Sequence, residues 1–164
     1  MARLGWIGID YGAKTAGTTA LCARVDGRFV LEQSGKGSDA DAWLRKRLDR
    51  LRPASVYIDA PLSLPPALLG NGGDHFFRRA DRALGAMSPM FLGGLTARAI
   101  RLRDEHPHIV FHETYPSALA KALKLPGRKE PLADRFHVLE QVAGIDLPTP
   151  ASAHQLDAIL AWLS

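Results

Sequence analysis

Trp6-Ile7-Gly8-Ile9-Asp10-Tyr11-Gly12-Ala13-Lys14-Thr15-Ala16-Gly17 carries an apolar run into a carboxylate and then turns at once through glycines. Nearly continuous apolar character over residues 4–10 suits a central strand covered on both faces. Three later segments repeat the placement of an acid at the edge of an apolar run: Tyr57-Ile58-Asp59, Val110-Phe111-His112-Glu113 and His154-Gln155-Leu156-Asp157. Taken singly, Asp10 before Tyr-Gly and Asp59 before Ala60-Pro61 read equally well as turn aspartates. Four acids in this order point to a metal site.

Outward from this strand, residues 18–25 and 28–33 alternate as strands and are joined through Asp26-Gly27, a strong hairpin signal. The first three strands are therefore expected to form an antiparallel meander. Leu44, Leu48 and Leu51 at helical spacing predict a helix, with Asp39 or Asp41 near its start and Pro53 just beyond its end. Residues 55–59 form the next strand, and the intervening helix implies a crossover that makes it parallel to an earlier one. Residues 60–73 read as loop, and Asp74 as the cap of a short helix carrying Phe77, Ala80 and Leu84. The excursion over residues 61–94 is long for a connection in a compact domain and predicts a lid or substrate-binding insertion. A helix with Leu95, Ala99 and Leu102 on its core face leads to a fifth strand at 109–113. Pro116 and Pro131 each open a further helix, and a last one spans 152–163. The expected architecture is α/β, a five-stranded mixed sheet flanked by helices.

With 164 residues and 46% hydrophobic content, the chain suffices for one compact domain over residues 1–164. No apolar run approaches the roughly 20 residues that cross a bilayer, and the N-terminus lacks a signal-like stretch, so no membrane partner and a cytoplasmic location are expected. Cys22, the single cysteine, lies in an alternating run and reads as a small buried hydrophobe rather than a nucleophile. The net charge of +4 and pI of 9.5 favour polyanionic partners without requiring them. Arginine and lysine cluster at 45–52, at 78–82 and at 98–103. Each cluster alone reads as a solvated helix face, and together they suggest a basic surface.

Magnesium and manganese prefer hard oxygen ligands and need only two to four carboxylates converging from different elements. Asp10, Asp59 and Glu113 would all stand at carboxyl ends of strands, where sites form in sheets with helical crossovers. On neighbouring strands about 4.8 Å apart their carboxylates can reach common ions. Glu113 has other readings, a salt bridge to a nearby arginine or a cap for the helix that follows. Ser152 and Gln155 make a capping-box pattern that places His154 and Asp157 in the first turns of the last helix. Their i, i+3 spacing puts both on one face, bordering the stripe of Leu156, Ile159, Leu160 and Leu163. The positive end of the helix dipole disfavours an imidazolium, leaving His154 neutral and able to ligate metal.

These residues resemble the ribonuclease H-like superfamily and, within it, the DUF429 group of predicted nucleases. The matching pieces are Gly8-Ile9-Asp10-Tyr11-Gly12-Ala13-Lys14, Tyr57-Ile58-Asp59-Ala60-Pro61, Arg78-Arg79-Ala80-Asp81-Arg82, Glu113-Thr114-Tyr115-Pro116 and His154-Gln155-Leu156-Asp157-Ala158, which span nearly the whole chain. The first and last are also similar to Holliday junction resolvases, including those with a His-x-x-Asp pair in the final helix; those enzymes usually carry glutamate where Asp59 stands. The resemblance implies a five-stranded sheet whose first three strands are antiparallel. It also implies two-metal phosphodiester hydrolysis with Mg²⁺ or Mn²⁺, Asp10 bridging both ions, Asp59 holding one, and Asp157 with His154 completing the site. Lys14, Arg78, Arg79, Arg82 and Arg98 would bind nucleic-acid phosphates, Lys14 and Glu113 serving within the catalytic set. The substrate, DNA or RNA, branched or linear, stays open, and junction cleavage would need two sites and hence a homodimer. Two other classes fit the same residues. Asp10-Tyr11-Gly12 with Thr15 and Gly17 resembles the phosphate loop of acetate and sugar kinases, which pair two such domains. Alternatively, the acids hold structure and a basic face binds nucleic acid or protein without catalysis.

Overall fold

A computed structural model describes residues 4–164. The chain forms a five-stranded mixed sheet flanked by helices, in the order β3-β2-β1-β4-β5. The strands are β1 (Leu4–Asp10), β2 (Ala20–Val25), β3 (Arg28–Gln33), β4 (Pro53–Asp59) and β5 (Val110–Glu113). As expected, β1, β2 and β3 pair antiparallel, while β4 lies parallel to β1 and β5 parallel to β4. The β2–β3 turn places Asp26 at φ 48° and Gly27 at φ 78°, the paired positive values that a tight hairpin following the strand twist requires.

Helix α1 (Ala40–Leu51) begins where Asp39 accepts from the backbone N–H of Asp41 and Ala42, and ends at Arg52 in the left-handed region. Pro53, expected only to stop that helix, is the first residue of β4 and lies opposite Leu4, a position where a strand tolerates proline. The long excursion holds a 3-10 turn (Pro66–Leu69), α2 (Arg79–Leu84) and α3 (Pro89–Leu92), after which α4 (Gly94–Asp104) leads into β5. Asp74 does not cap α2. It accepts from the N–H groups of Phe76 and Phe77, while Asp81 reaches back to the Arg78 N–H to close the helix start, leaving Phe77 outside it. The chain finishes with α5 (Pro116–Ala122), α6 (Leu132–Ala143) and α7 (Ala153–Leu163). Among the described residues no helix is long and apolar enough to cross a membrane.

Strand alternation divides the core. Ile7, Ile9, Val56 and Ile58 pack with Leu44, Leu48, Ala99 and Leu102 on the α1/α4 side. Cys22, Ala20, Leu156, Ile159, Leu160, Phe136 and Leu139 form the core on the α6/α7 side. Burial pushes the Cys22 thiol up to about 12, so it behaves as the expected inert core residue.

Helix α7 runs antiparallel along β1 and stays in step with it, since four helical residues rise about 6 Å while two strand residues rise about 6.6 Å. Thus His154 meets Asp10, Ala158 and Trp162 flank Gly8, and Trp162 stacks on Trp6. The Trp6 indole N–H also donates to the Trp162 carbonyl at 2.9 Å. Gly8 permits this seating: a Cβ there would stand 2.2 Å from the Trp162 nitrogen and 2.5 Å from the Ala158 carbonyl oxygen. Gly8→Ala must displace α7 and is expected to cost about 2–3 kcal/mol in urea unfolding. Wild-type stability in that variant would contradict the close seating.

Candidate active site

The parallel register aligns Asp10 with Asp59 at the carboxyl ends of β1 and β4. Aligned residues of neighbouring strands point to one face, and that face is the one α7 covers. Asp10 is 9% and Asp157 4% exposed, both low for acids. His154 Nδ1 lies 2.8 Å from Asp10 Oδ2, leaving its Nε2 for a ligand. Four of the residues singled out in the sequence therefore meet at one end of the sheet: Asp10, Asp59, His154 and Asp157.

Their charges interact. Burial pushes Asp59 up to about 7, with the charges of Asp10 and Asp157 adding to the effect. Burial likewise pushes Asp10 up to about 6, against the hydrogen bond with His154 and assisted by Asp157. Asp157 is also raised by burial, although Arg128, Arg135 and His154 pull the other way. Among the described residues nothing hydrogen-bonds the Asp59 carboxylate.

Glu113 departs from the expected set. It pairs with Ile58 rather than Asp59, and with a period of two this one-residue offset turns it toward the opposite face of the sheet. There it accepts two bonds from Arg78, at 2.5 and 2.7 Å, and one from the Leu62 N–H at 3.0 Å. The salt-bridge reading of Glu113 describes its contacts; its charge still reaches Asp59. Arg78, expected to hold phosphate, also binds Asp81 at 2.6 Å and Ser63 at 3.0 Å. Burial alone would raise Asp81, which is 2% exposed, but the bonds from Arg78 hold it below the usual carboxylate range. This knot fastens the 61–94 segment to the end of β5. Arg78→Ala would leave two acids without their partner, and is expected to cost on the order of 3 kcal/mol and to speed amide exchange across residues 61–94. Unchanged exchange would show that the knot does not hold that segment.

Most of the other basic residues singled out in the sequence are similarly engaged. Arg98 is committed to Asp41 at 2.7 and 2.8 Å and to the Gly12 carbonyl at 3.1 Å, tying α4 to α1 and to the turn after β1. Lys14 pairs with Asp39 at 3.2 Å, at the start of α1. Arg82 bonds Asp74 and lies over the Phe77 ring. Arg79 is exposed and has no ionic partner among the described residues. In the remaining clusters Arg45, Arg47, Arg50, Arg101 and Arg103 all pair with carboxylates. Exposed pairs of this kind are weak and open to competition by a polyanion.

Sequence reasoning missed Arg128. Its guanidinium donates to Asp157 Oδ2 at 2.7 Å and to Ser117 Oγ at 3.2 Å, bringing a cation beside the three acids. It stands in the loop before α6, where no periodicity marks a functional position. Arg135 on α6 was missed too. It is 4% exposed, its Nε has no partner, and its charge acts on Asp157.

Between the acids and residues 61–94 opens a cleft of about 880 Å³ that includes Asp59, Arg128, Tyr115 and several apolar residues of the excursion. Among the described residues no three His, Cys, Asp or Glu side chains converge tightly enough to enclose an ion as they stand. The donor chemistry nevertheless suits a hard divalent cation. Three carboxylates lie within electrostatic reach of one another, one has no hydrogen-bond partner, and all three are pushed toward the protonated form, first by burial and, for Asp59 and Asp10, also by a neighbouring acid's charge. No protein-family model matches this chain, and no curated protein matches it.

Proposed function

We propose that this protein is a metal-dependent phosphodiester hydrolase acting on nucleic acid, in keeping with its resemblance to the DUF429 group. The observation that carries the reading is the alignment of Asp10 with Asp59 near Asp157, three acids far apart in the chain that are buried within reach of one another's charge. Asp10, Asp59 and Asp157 would hold Mg²⁺ or Mn²⁺, with His154 Nε2 in reserve. When bound, such ions lower the pKa of an attacking water and stabilise the leaving oxygen. The chain's own contributions are positional. His154 orients the Asp10 carboxylate, as partners of metal-binding acids commonly do. Arg128 places a flexible cation where a substrate phosphate would approach, and residues 61–94 wall the site on one side.

A panel of single-stranded, duplex, hybrid and branched nucleic acids incubated with Mg²⁺, Mn²⁺ or EDTA tests the reading. Cleavage of at least one substrate that requires the metal is expected. Binding without cleavage under every condition would favour the non-catalytic module. Heat stabilisation by ATP with no cleavage would favour a phosphotransferase.

A further inference from the structure

The cleft beside the acids is larger and more apolar than cleavage of a phosphate alone requires. Its volume of about 880 Å³ falls in the range of about 300–1,000 Å³ that suits one ligand-sized group. Its charged lining is Asp59 and Arg128 together with the paired Arg78, Asp81 and Glu113, whereas Leu64, Leu84, Met87 and Leu95 supply apolar wall. Tyr115 lines the same space and belongs to the Glu113-Thr114-Tyr115-Pro116 motif, to which the hydrolytic chemistry gives no role. Proline begins α5 immediately after Tyr115, which precedes the helix at φ −134°, so its position is set by a rigid helix start. Among the described residues its hydroxyl has no hydrogen-bond partner.

On the hydrolase reading, a group that fits carries a phosphodiester toward Asp59 and Arg128 and an apolar body into the wall beyond. We propose that the cleft receives one unstacked nucleobase, with Tyr115 as its stacking face, so that the substrate is single-stranded or locally unpaired nucleic acid rather than intact duplex. This inference rests on the hydrolase reading for its choice of ligand. A base held in a duplex cannot enter, since its faces are covered and its edge is paired. Bases already unpaired give up least on entry, which would itself select for unpaired sites. Stacking on tyrosine tolerates every base, so little sequence preference is expected.

The test uses a short single strand with one 2-aminopurine and the same strand in a duplex, bound to Asp10→Asn protein so that the readout does not depend on turnover. Binding of the single strand should change the 2-aminopurine emission, and the duplex should bind at least about tenfold more weakly. Tyr115→Ala, and separately Ala80→Trp, which fills the cleft from an exposed helical position, should each weaken the single strand about tenfold or more, while Tyr115→Phe retains binding. Equal affinity for duplex and single strand, no binding of either, or indifference to both Tyr115→Ala and Ala80→Trp would overturn the proposal. The two readings can fail separately. If wild type cleaves nothing but the probe still enters the cleft, the pocket stands and the hydrolase falls. If wild type cleaves duplex and Tyr115→Ala does not alter the rate, the reverse holds.

Discussion

Replacing Asp10 with asparagine is expected to lower metal-dependent cleavage roughly a thousandfold, the upper range for loss of one charge-stabilising contact in a transition state. The same change should raise the thermal stability of the metal-free protein at pH 7.5. Asp10 is 9% exposed and feels the charge of Asp157, so its own charge is costly to keep in the fold. Asparagine retains the shape and carries no charge. Opposite effects on catalysis and stability distinguish a site built for a cation from an acid that holds the fold together. Single-turnover rates and melting curves in EDTA provide both numbers, and a loss of stability in parallel with activity would assign Asp10 to structure.

The second large effect is a dependence of stability on pH and metal. Burial pushes Asp59 up to about 7 and Asp10 up to about 6 in the folded protein, against an ordinary value of 3.8. Raised acids bind protons more tightly when folded, so their contribution is fully present below about pH 4 and is lost as pH rises through 6 and 7. A tenfold change in proton affinity between the folded and unfolded chain corresponds to about 1.4 kcal/mol, so the rise at Asp59 alone corresponds to a loss on the order of 4 kcal/mol in this window. For a chain of this size that corresponds to about 8–16 °C in melting temperature. Paired acids such as Asp41 and Asp81 are held low and act in the opposite sense at more acid pH. The informative quantity is therefore the difference between wild type and Asp59→Asn. In EDTA the variant should gain on wild type between pH 5 and 8. Mg²⁺ should stabilise wild type far more at pH 8 than at pH 5, where protons compete for the carboxylates. A difference that does not change with pH would show that Asp59 is not raised.

Much of the arrangement was legible because it depends on local signals. Alternation through Ile7, Ile9, Leu21 and Ala23, together with Asp26-Gly27, specifies an antiparallel meander, and Ser152 with Gln155 marks where α7 starts. Asp10, Asp59, His154 and Asp157 could be identified as polar residues standing at the end of a strand or in the first turns of a helix beside an apolar stripe. Register was not legible. That β5 pairs one residue short of β4's end, turning Glu113 to the other face, follows from how a connection through residues 61–94 packs, and no spacing in the chain encodes it. The partners of arginines are equally hidden. Arg98 finds Asp41 across 57 positions and Arg78 finds Glu113 across 35, so clusters that suggest a phosphate surface become cross-links within the fold. Arg128 sits in an aperiodic loop and acquires meaning only from its proximity to Asp157.

Titration with Mn²⁺, followed through the loss of the free ion's paramagnetic resonance signal, tests most directly whether Asp10, Asp59 and Asp157 jointly hold a divalent cation. Wild type should take up manganese, and Asp59→Asn should bind it at least about tenfold more weakly. Wild type that takes up none at millimolar manganese, or Asp59→Asn that binds it as tightly as wild type, would contradict the account.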